Sequence, residues 1–422
     1  MLDINFIRDY REVVKQGMIN KGEKTADAVD LVIEKDEEWR KLVTEIGNLR
    51  AESNSRAKEI GKLMGQGKKE EAQQIINETG QTKEKVKELE QKLETIQKER
   101  DDLLYQIPNV PDQSVPVGHT EEDNEVISTW GEPNDEEWRL PHWELAAEKR
   151  WLDFERGSKV AGAGFPFYVG KMARLQRALI NFFLNEATDH GYTEIQAPYF
   201  VNEDSARGTG QIPDKEDMMY TVPRDGFFAI PTAEVPVTNF HRDEIFEMKD
   251  LPVYYTAYTP CWRREAGSYG ADVRGLNRLH QFDKVELVKF VHPDESDKEL
   301  ESLREYAESL LQKLKLPFRT LLMCTGDMGF TQTKKYDLEV WSPGQKRWLE
   351  VSSCSNFGSF QARRMQIRFR NEKGKTEIMH TLNGSGLALP RAVASILETY
   401  QTESGDLIVP EVLIPYMGVE KI

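Results

Sequence analysis

Within residues 1–110, two stretches repeat core-type positions at alternating steps of three and four, and this repeat constrains the fold more than any other feature of the sequence. Such steps are typical of helices that pack as a coiled coil. Residues 65–67, Gly-Gln-Gly, separate the stretches and favour a helix end. We therefore predict an arm of two antiparallel helices over about 28–105, with core positions at Val32, Lys35, Trp39, Leu42, Ile46, Leu49, Ser53, Arg56, Ile60 and Leu63, then Val86, Leu89, Leu93, Ile96, Arg100 and Leu103.

The length and charge of this arm leave two uses open. At 1.5 Å per residue, about 32 helical residues give an arm of roughly 50 Å. Ser53 and Arg56 occupy core positions, so the seam should be thin and solvated near the tip. The arm lysines could contact RNA or form an ordinary solvated face beside glutamates; they are Lys58, Lys62, Lys68, Lys69, Lys83, Lys85 and Lys87.

The charge balance of the whole chain limits its partners. The 422 residues carry 56 basic and 72 acidic side chains, which gives a formal net charge of −16. This balance argues against a protein that binds nucleic acid over its whole surface, but a local basic patch remains compatible with it. The length suggests two or three domains.

Cysteine spacing and hydropathy indicate the compartment. Cys261, Cys324 and Cys354 are far apart and form no Cys-x-x-Cys pair, so we expect free thiols and no zinc. The N-terminus resembles neither a signal peptide nor a transit peptide. No segment reaches the ~18 apolar residues of a membrane span. The sequence predicts a cytoplasmic protein without a membrane partner.

The composition changes along the chain and predicts three parts. Residues 1–110 form an N-terminal domain that contains the arm. Residues 111–140, where Pro, Gly, Asp and Asn recur, are predicted to be a linker. Residues 141–422 mix strands with helices predicted at 172–189, 297–314 and 389–401, and a strand at 191–199. This pattern predicts an α+β fold with a mainly antiparallel sheet flanked by helices.

A segment with four arginines lies between two predicted strands, 253–258 and 285–290, with a turn expected at 266–270. Arginine forks suit phosphate oxygens, which accept two parallel charged hydrogen bonds. Phe282 can stack on a base, and Glu286 can hold an ammonium group. The chain has neither Gly-x-Gly-x-x-Gly nor a Walker A loop. A nucleotide would therefore be held by side chains.

The residues of this hairpin carry a family resemblance. Arg-Arg-Glu-Ala-Gly-Ser at 263–268, Val-Arg-Gly-Leu at 273–276 and Arg-Leu-His-Gln-Phe-Asp-Lys-Val-Glu at 278–286 resemble the second motif of class II aminoacyl-tRNA synthetases. In detail they resemble the seryl-tRNA synthetase family of the bacterial type. Trp262 and Arg264 stand where that family usually has Phe and Ser. Arg263 and Glu265 keep the family spacing.

Five further segments match the same family in the same order. The predicted helix and strand ending at Pro198 are similar to the first class II motif, which builds the dimer interface in that family. Residues 381–388 with Arg391 resemble the third motif, in which a glycine-rich bend leads into a helix. Residues 232–234 resemble a serine-binding loop, 350–357 an ATP and Mg²⁺ strand, and 324–329 a further family segment. Each is common alone, and their order makes coincidence negligible.

The resemblance implies an ATP site without a protein nucleophile. Arg263 and Arg391 are the catalytic residues implied. Mg²⁺, a hard ion that prefers oxygen ligands, would be held by Glu350 and Ser353. The residues implied to bind ATP are Arg263, Arg264, Glu265, Arg278, Phe282, Glu350, Val351, Ser352, Ser353 and Arg391.

The resemblance also implies an L-serine pocket. Such a pocket must reject alanine and glycine, which fit sterically, and a buried group that hydrogen-bonds the substrate hydroxyl supplies that selectivity. Glu286 and Ser385 are implied for this role. The full set of implied serine-binding residues is Thr232, Ala233, Glu234, Arg263, Glu286, Asn383 and Ser385.

The activity implied is formation of seryl-adenylate from serine and ATP, then transfer of serine to tRNA(Ser), and to tRNA(Sec) where the organism has one. The family forms homodimers, and its arm grips the long variable arm of tRNA by shape. Two alternatives stay open. One is an amino acid ligase that loads a carrier protein, although such relatives generally lack the arm. The other is a non-catalytic RNA-binding paralogue, which the intact Arg263, Glu265, Glu286, Glu350 and Arg391 disfavour.

Overall fold

A computed structural model describes residues 1–213, 217–265 and 274–422 of the chain. The chain divides into two compact units. One contains Leu2–Ile19 and Glu23–Pro108, and the other contains Met1, Asn20–Gly22 and Asn109–Ile422. The predicted turn at 266–270 lies outside the described residues.

The smaller unit is helical and contains the predicted arm. Its helices are α1 (Ile4–Asp9), α2 (Arg11–Asn20), α3 (Asp27–Gly65) and α4 (Lys69–Leu104). Helix α3 ends at the predicted break, where Gly67 adopts a φ of +77° that favours glycine. The two long helices pack together as an antiparallel pair, which confirms the coiled-coil arm.

The seam of the arm follows the heptad positions and thins toward the turn. Val32, Leu42, Ile46 and Ile96 are buried, whereas Leu49, Ser53, Arg56, Ile60 and Leu63 are only half-buried. At the base of the arm the seam is polar. Asp36 is buried and accepts hydrogen bonds from Arg8 at 2.8 Å and Arg40 at 2.9 Å.

The larger unit is an α+β domain, as predicted. Its helices are α5 (His142–Lys149), α6 (Phe154–Ala161), α7 (Lys171–Asp189), α8 (Glu203–Thr209), α9 (Glu234–Asn239), α10 (Ser296–Lys313), α11 (Phe360–Met365), α12 (Leu389–Tyr400) and α13 (Ile414–Met417). Its strands are β1 (Glu125–Trp130), β2 (Leu152–Asp153), β3 (Phe167–Tyr168), β4 (Thr193–Glu194), β5 (Phe200–Val201), β6 (Thr221–Val222), β7 (Phe227–Ala229), β8 (Ile245–Glu247), β9 (Val253–Trp262), β10 (Gln281–Val291), β11 (Phe318–Leu322), β12 (Lys334–Ser342), β13 (Arg347–Asn356), β14 (Arg368–Arg370), β15 (Thr376–Ile378) and β16 (His380–Ala388).

One eight-stranded sheet organises the domain, in the order β1-β11-β12-β13-β16-β10-β9-β4. Its pairs are antiparallel except β4 with β9. Alternation along β10 separates two faces. Val285, Leu287 and Val291 pack with α7, α10 and α12 in the main core. Glu286 belongs to the opposite face, and this face carries the candidate site.

Three predicted segments differ from the structure. The predicted linker contains β1, which pairs with β11 at the sheet edge, so part of it belongs to the domain. The predicted strand at 191–199 forms ladder pairs only over β4. The predicted glycine-rich bend at 381–388 is wrong: the segment is strand β16. A Cβ on Gly384 would lie 3.0 Å from Leu303 Cγ, so the glycine allows close packing of α10 on the strand.

Among the described residues, no helix is both long and apolar enough to cross a membrane.

Candidate active site

The arginine hairpin presents its side chains from the ends of β9 and β10. The register pairs Phe282 with Cys261, so Arg263 follows directly after the paired part of β9. The Arg263 guanidinium lies 5.1 Å from the centre of the Phe282 ring, within range of a cation–π contact. Its Nε donates to the carbonyl of Pro231 at 3.3 Å. The structure therefore brings Arg263 and Phe282 together beside the predicted serine-binding loop.

The other hairpin residues separate into two sets. Glu265 forms an ion pair with Arg278 across the hairpin, and only 12% of its side chain is exposed. Its φ of +50° is unusual for a residue with a side chain. Arg264 instead pairs with Asp217 at 3.2 Å, and both side chains are largely exposed. The structure does not bring Arg264 to the other predicted ATP residues.

A β-bulge places two residues of β13 on the same face. In a regular strand, residues three apart point to opposite faces. Between β12 and β13 the register shifts, because Leu338 pairs with Ser352 and Glu339 with Glu350, which leaves Val351 as the extra residue. Glu350 and Ser353 therefore share one face. Val351 and Ser352 are buried on the other side, and Ser352 donates to the Ser385 carbonyl at 2.7 Å.

The phosphate-side cluster, which we define as Arg278, Glu350 and Arg391, lines a cavity of about 820 Å³. Arg391 donates from Nη1 to the Glu350 carbonyl at 2.6 Å and from Nε to the Asn277 carbonyl at 3.1 Å. Other residues of the cavity wall were not predicted from the sequence; they include Arg319, Lys335, Asp337, Lys346 and Arg347. Their strands are distant in sequence from the hairpin, so no local pattern pointed to them.

The donor set of this cavity fits a hard cation. The walls of the cavity act to raise the pKa of Glu350, but the charges of Arg391, Lys335 and Arg263 hold it below its ordinary value. These charges therefore favour the ionised form of Glu350. Through the bulge, this carboxylate shares a face with Ser353. No group of three or more His, Cys, Asp or Glu side chains suited to a metal occurs in the described part of the chain. Glu350 and Ser353 would thus need further oxygen ligands, which ATP phosphates supply.

Glu286 is the centre of a buried polar cluster, the serine-side cluster, formed with Thr232, Asn383, Lys284 and Ser385. The Thr232 hydroxyl donates to Glu286 Oε2 and the Asn383 amide to Oε1, both at 3.1 Å. Lys284 Nζ lies 2.5 Å from Oε2. Ser385 is directly opposite Glu286 in the β10–β16 register. Lys284 was missed from the sequence, although period-two alternation places it on the same strand face as Glu286.

Glu234 lies beside this cluster, at the start of α9. Burial, followed by the negative charge of Glu286, raises the pKa of Glu234 to about 7. Gln361 Nε2 donates to its carboxylate at 2.6 Å, and Gln361 Oε1 accepts from the Thr381 hydroxyl at 2.8 Å. Ala233, another implied serine-binding residue, is fully buried. Gln361 lies on α11, far along the chain, and was not predicted.

Two family models match this chain: the seryl-tRNA synthetase N-terminal domain over residues 1–111 and the tRNA synthetase class II core domain (G, H, P, S and T) over residues 220–400. A serine–tRNA ligase of Salinibacter ruber is 57% identical, with 100% of this chain and 99% of the relative covered. The chain belongs to the seryl-tRNA synthetase family. It is therefore an aminoacyl-tRNA synthetase, an enzyme of the ligase class, and this family assignment confirms the resemblance found in the sequence.

Two other relatives agree. A serine–tRNA ligase of Trichlorobacter lovleyi is 50% identical over the full length of both chains. The crystal structure of seryl-tRNA synthetase from Pyrococcus horikoshii complexed with ATP has a TM-score of 0.94 at 37% identity, and it covers 100% of this chain and 99% of that one. This likeness confirms the fold class.

Proposed function

We propose that this site activates L-serine with ATP to give seryl-adenylate, and that the protein then transfers serine to tRNA(Ser). The observation that carries the proposal is the position of Arg263 between two sets of groups. On one side lies the serine-side cluster around the buried Glu286. On the other lies the arginine-rich cavity, where the charge of Arg263 acts on Glu350. An amino acid and a triphosphate can thus meet at one guanidinium.

Activation joins a serine carboxylate oxygen to the α-phosphorus of ATP and breaks the bond between that phosphorus and the bridging oxygen, so pyrophosphate leaves. No protein nucleophile is required. Arg263 holds the α-phosphate and the serine carboxylate. Arg278 and Arg391 hold the β- and γ-phosphates and offset the charge that the leaving group gains. Catalysis then rests on positioning and charge stabilisation.

The base of ATP would lie against Phe282, with its exocyclic amine donating to Glu265. Glu265 and Arg278 form an ion pair with each other. This pair must open when ATP binds, so that Glu265 contacts the base and Arg278 contacts the phosphates. Mg²⁺ held by Glu350 and Ser353 would neutralise phosphate charge. Cys261 is fully buried, and burial raises the pKa of its thiol, so it has no nucleophilic role in this scheme.

Selection of serine rests on the polar cluster around Glu286. This carboxylate accepts a hydrogen bond from the serine hydroxyl, and Ser385 and Asn383 also contact that hydroxyl. Alanine would leave a buried charged acceptor without that partner, and this loss disfavours it. Thr232 and the ionised form of Glu234 hold the serine ammonium.

Transfer requires the arm. All seven arm lysines named above are exposed, as expected for groups that contact an RNA backbone. We propose that the arm binds the variable arm of tRNA(Ser), and of tRNA(Sec) where it exists, in a cytoplasmic homodimer that requires Mg²⁺.

The test is serine-dependent exchange of labelled pyrophosphate into ATP, followed by transfer of labelled serine to purified tRNA. Alanine, glycine and threonine serve as substrate controls, and a tRNA without a long variable arm serves as the RNA control. We expect exchange with serine and transfer to tRNA(Ser). Exchange without transfer to any tRNA would favour a carrier-protein ligase, and the absence of both would favour a non-catalytic RNA-binding protein.

A further inference from the structure

Glu398 is a fully buried carboxylate on α12, about two helical turns after Arg391. Its Oε1 accepts hydrogen bonds from His142 Nδ1 at 2.7 Å, the His142 backbone at 3.0 Å and Gln345 Nε2 at 2.9 Å. Its Oε2 accepts from the Ser342 hydroxyl and from the Gly344 backbone. Burial acts to raise the pKa of this carboxyl, but the hydrogen bonds from His142 and Ser342 hold it below its usual value.

His142 connects this carboxylate to the arginine hairpin. It is fully buried, and the Leu276 backbone N–H donates to its Nε2 at 2.8 Å. Because a backbone N–H can only donate, Nε2 is the unprotonated ring nitrogen. The ring proton is therefore on Nδ1, which donates to Glu398. The imidazole thus links Glu398 to the segment at 274–280 that leads into β10.

The same segment is held a second time through the next residue. The side-chain amide of Asn277 donates to Gln345 Oε1 at 2.8 Å, and Gln345 contacts Glu398. The Asn277 carbonyl accepts from Arg391 Nε at 3.1 Å. A closed ring of hydrogen bonds therefore runs from Glu398 through His142, the hairpin and Gln345 back to Glu398.

Gly275 shows how tightly this segment is seated. A Cβ at this position would lie 2.2 Å from His142 Nε2, so only glycine permits the contact. Its φ of +62° is also a conformation that favours glycine. Arg278 follows three residues later, and the ring therefore ties both phosphate-binding arginines to one buried frame.

We propose that His142 and Glu398 are positioning residues that set Arg278 and Arg391 for the β- and γ-phosphates of ATP. Neither side chain is accessible to a substrate, so both act through the hairpin backbone and through α12. This inference rests on the proposed function, in which these two arginines bind the phosphates. A residue that only stabilised the fold would affect all ligands alike, whereas a positioning residue affects those that carry the β- and γ-phosphates.

The decisive variant is His142→Asn. The asparagine side-chain amide can still donate to Glu398 from the place of Nδ1. The substitution removes the Nε2 acceptor of the Leu276 backbone N–H. Glu398→Gln keeps the shape of the side chain and removes its charge. Gln345→Met breaks the second connection, at a half-buried site. The matched control is Glu299→Gln. Glu299 accepts from the buried Lys289 at 2.8 Å on the helix-covered face of the sheet, away from the cavity.

Binding of ATP and of AMP is measured by calorimetry, and KM for ATP and for serine is measured by pyrophosphate exchange, at a temperature well below the lowest unfolding midpoint. We expect His142→Asn and Glu398→Gln to lower kcat/KM for ATP about 10- to 100-fold, as small displacements of positioning groups do. KM for serine and AMP affinity should change less than about twofold, which is the loss expected where no contact is altered. Gln345→Met should also lower kcat/KM for ATP selectively, but by a smaller factor.

An unchanged ratio of ATP to AMP affinity in all three variants, or losses equal to those of Glu299→Gln, would overturn the inference. Failure of the proposed function is a separate outcome, because the parent protein would then show no serine-dependent exchange, or Arg263→Ala would retain it.

Discussion

The arm and the catalytic sheet both depend on ion pairs, but they place them in opposite surroundings. Between α3 and α4, Arg50 pairs with Glu90 at 2.5 Å while 63% and 40% of the two side chains remain exposed. In the sheet, Lys284 pairs with Glu286 at the same distance, with exposures of only 8% and 1%. The two pairs have the same distance and differ in their exposure to solvent.

This difference separates two ways of using charge. Exposed pairs are screened by water and salt, and each contributes little to stability. Removing one partner of a buried ion pair destabilises the folded protein by about 3–5 kcal/mol. The arm can therefore change its charges and remain an arm, whereas each charge in the serine-side cluster depends on its neighbours.

The largest effect should come from removing the arm. Deletion of residues 47–93, with a short glycine-containing turn joining the helix stumps, leaves all candidate site residues in place. Transfer to tRNA(Ser) should fall by roughly 10³-fold or more, the difference typical between specific and non-specific nucleic-acid complexes. Serine-dependent exchange should persist. In the parent, tRNA binding should weaken as salt rises, through counterion release.

If the truncated protein charged tRNA(Ser) as well as the parent, the arm would have only a structural role. Exchange by the same sample is the control for folding.

Arg263→Ala should give the next largest loss. The change removes a charged contact with the reacting phosphate, so exchange should fall by roughly 10²-fold or more. Arg264→Ala is the matched control, because the structure pairs Arg264 with exposed Asp217. Exchange rates of both variants are measured at saturating serine. Equal losses in the two variants would show that the family spacing, and not the observed pairing, was the better guide for Arg264.

Glu286→Ala should affect serine while ATP affinity stays nearly constant. Without the carboxylate, the substrate hydroxyl loses its buried partner, a loss of about 1–3 kcal/mol. The serine-to-alanine ratio of kcat/KM should therefore narrow about 10- to 100-fold. Exchange with each amino acid gives the ratio, and calorimetry gives the ATP affinity. A ratio at the parent level would exclude Glu286 as a specificity residue.

Glu234 predicts a pH effect on serine binding. Its pKa is raised from 4.5 to about 7, so between these values the folded protein binds more protons than the unfolded chain. The contribution of this group to folding stability therefore falls as pH rises through that window. Serine binding needs the ionised form, so KM for serine should rise below pH 7, toward about tenfold per pH unit. Glu234→Gln should flatten this profile, and a parent profile as flat as that of the variant would contradict the assignment.

The smallest effect should come from an arm ion pair. Arg56 pairs with Glu78 at 3.0 Å, and half of the Glu78 side chain is exposed. Glu78→Ala should change the free energy of unfolding by less than about 1 kcal/mol and leave exchange unchanged. Thermal unfolding measures the first quantity. A loss as large as that of a buried pair would remove the contrast between the two regions.

Local patterns in the sequence were sufficient for the arm and for much of the hairpin. The heptad steps identified the seam, because a helix repeats its surface every few residues. The strands predicted at 253–258 and 285–290 are confirmed as parts of β9 and β10. Period-two alternation could also have found Lys284, two residues before Glu286. The family motifs identified the site residues, whose roles remain predictions. They also included Arg264, which the structure pairs elsewhere.

The sequence by itself determined the arm, the α+β class and the family. These features depend on residues that lie close together along the chain or within one motif. Only the tertiary structure decided which distant groups share a face. The bulge at Val351 turns Glu350 and Ser353 to one side, and the strand order places Lys335 and Asp337 in the same cavity. Likewise, the ring through His142 and Glu398 joins residues more than 250 positions apart. Such contacts depend on sheet order, register and helix packing, which are set by the burial of the whole core and leave no periodic trace in the chain.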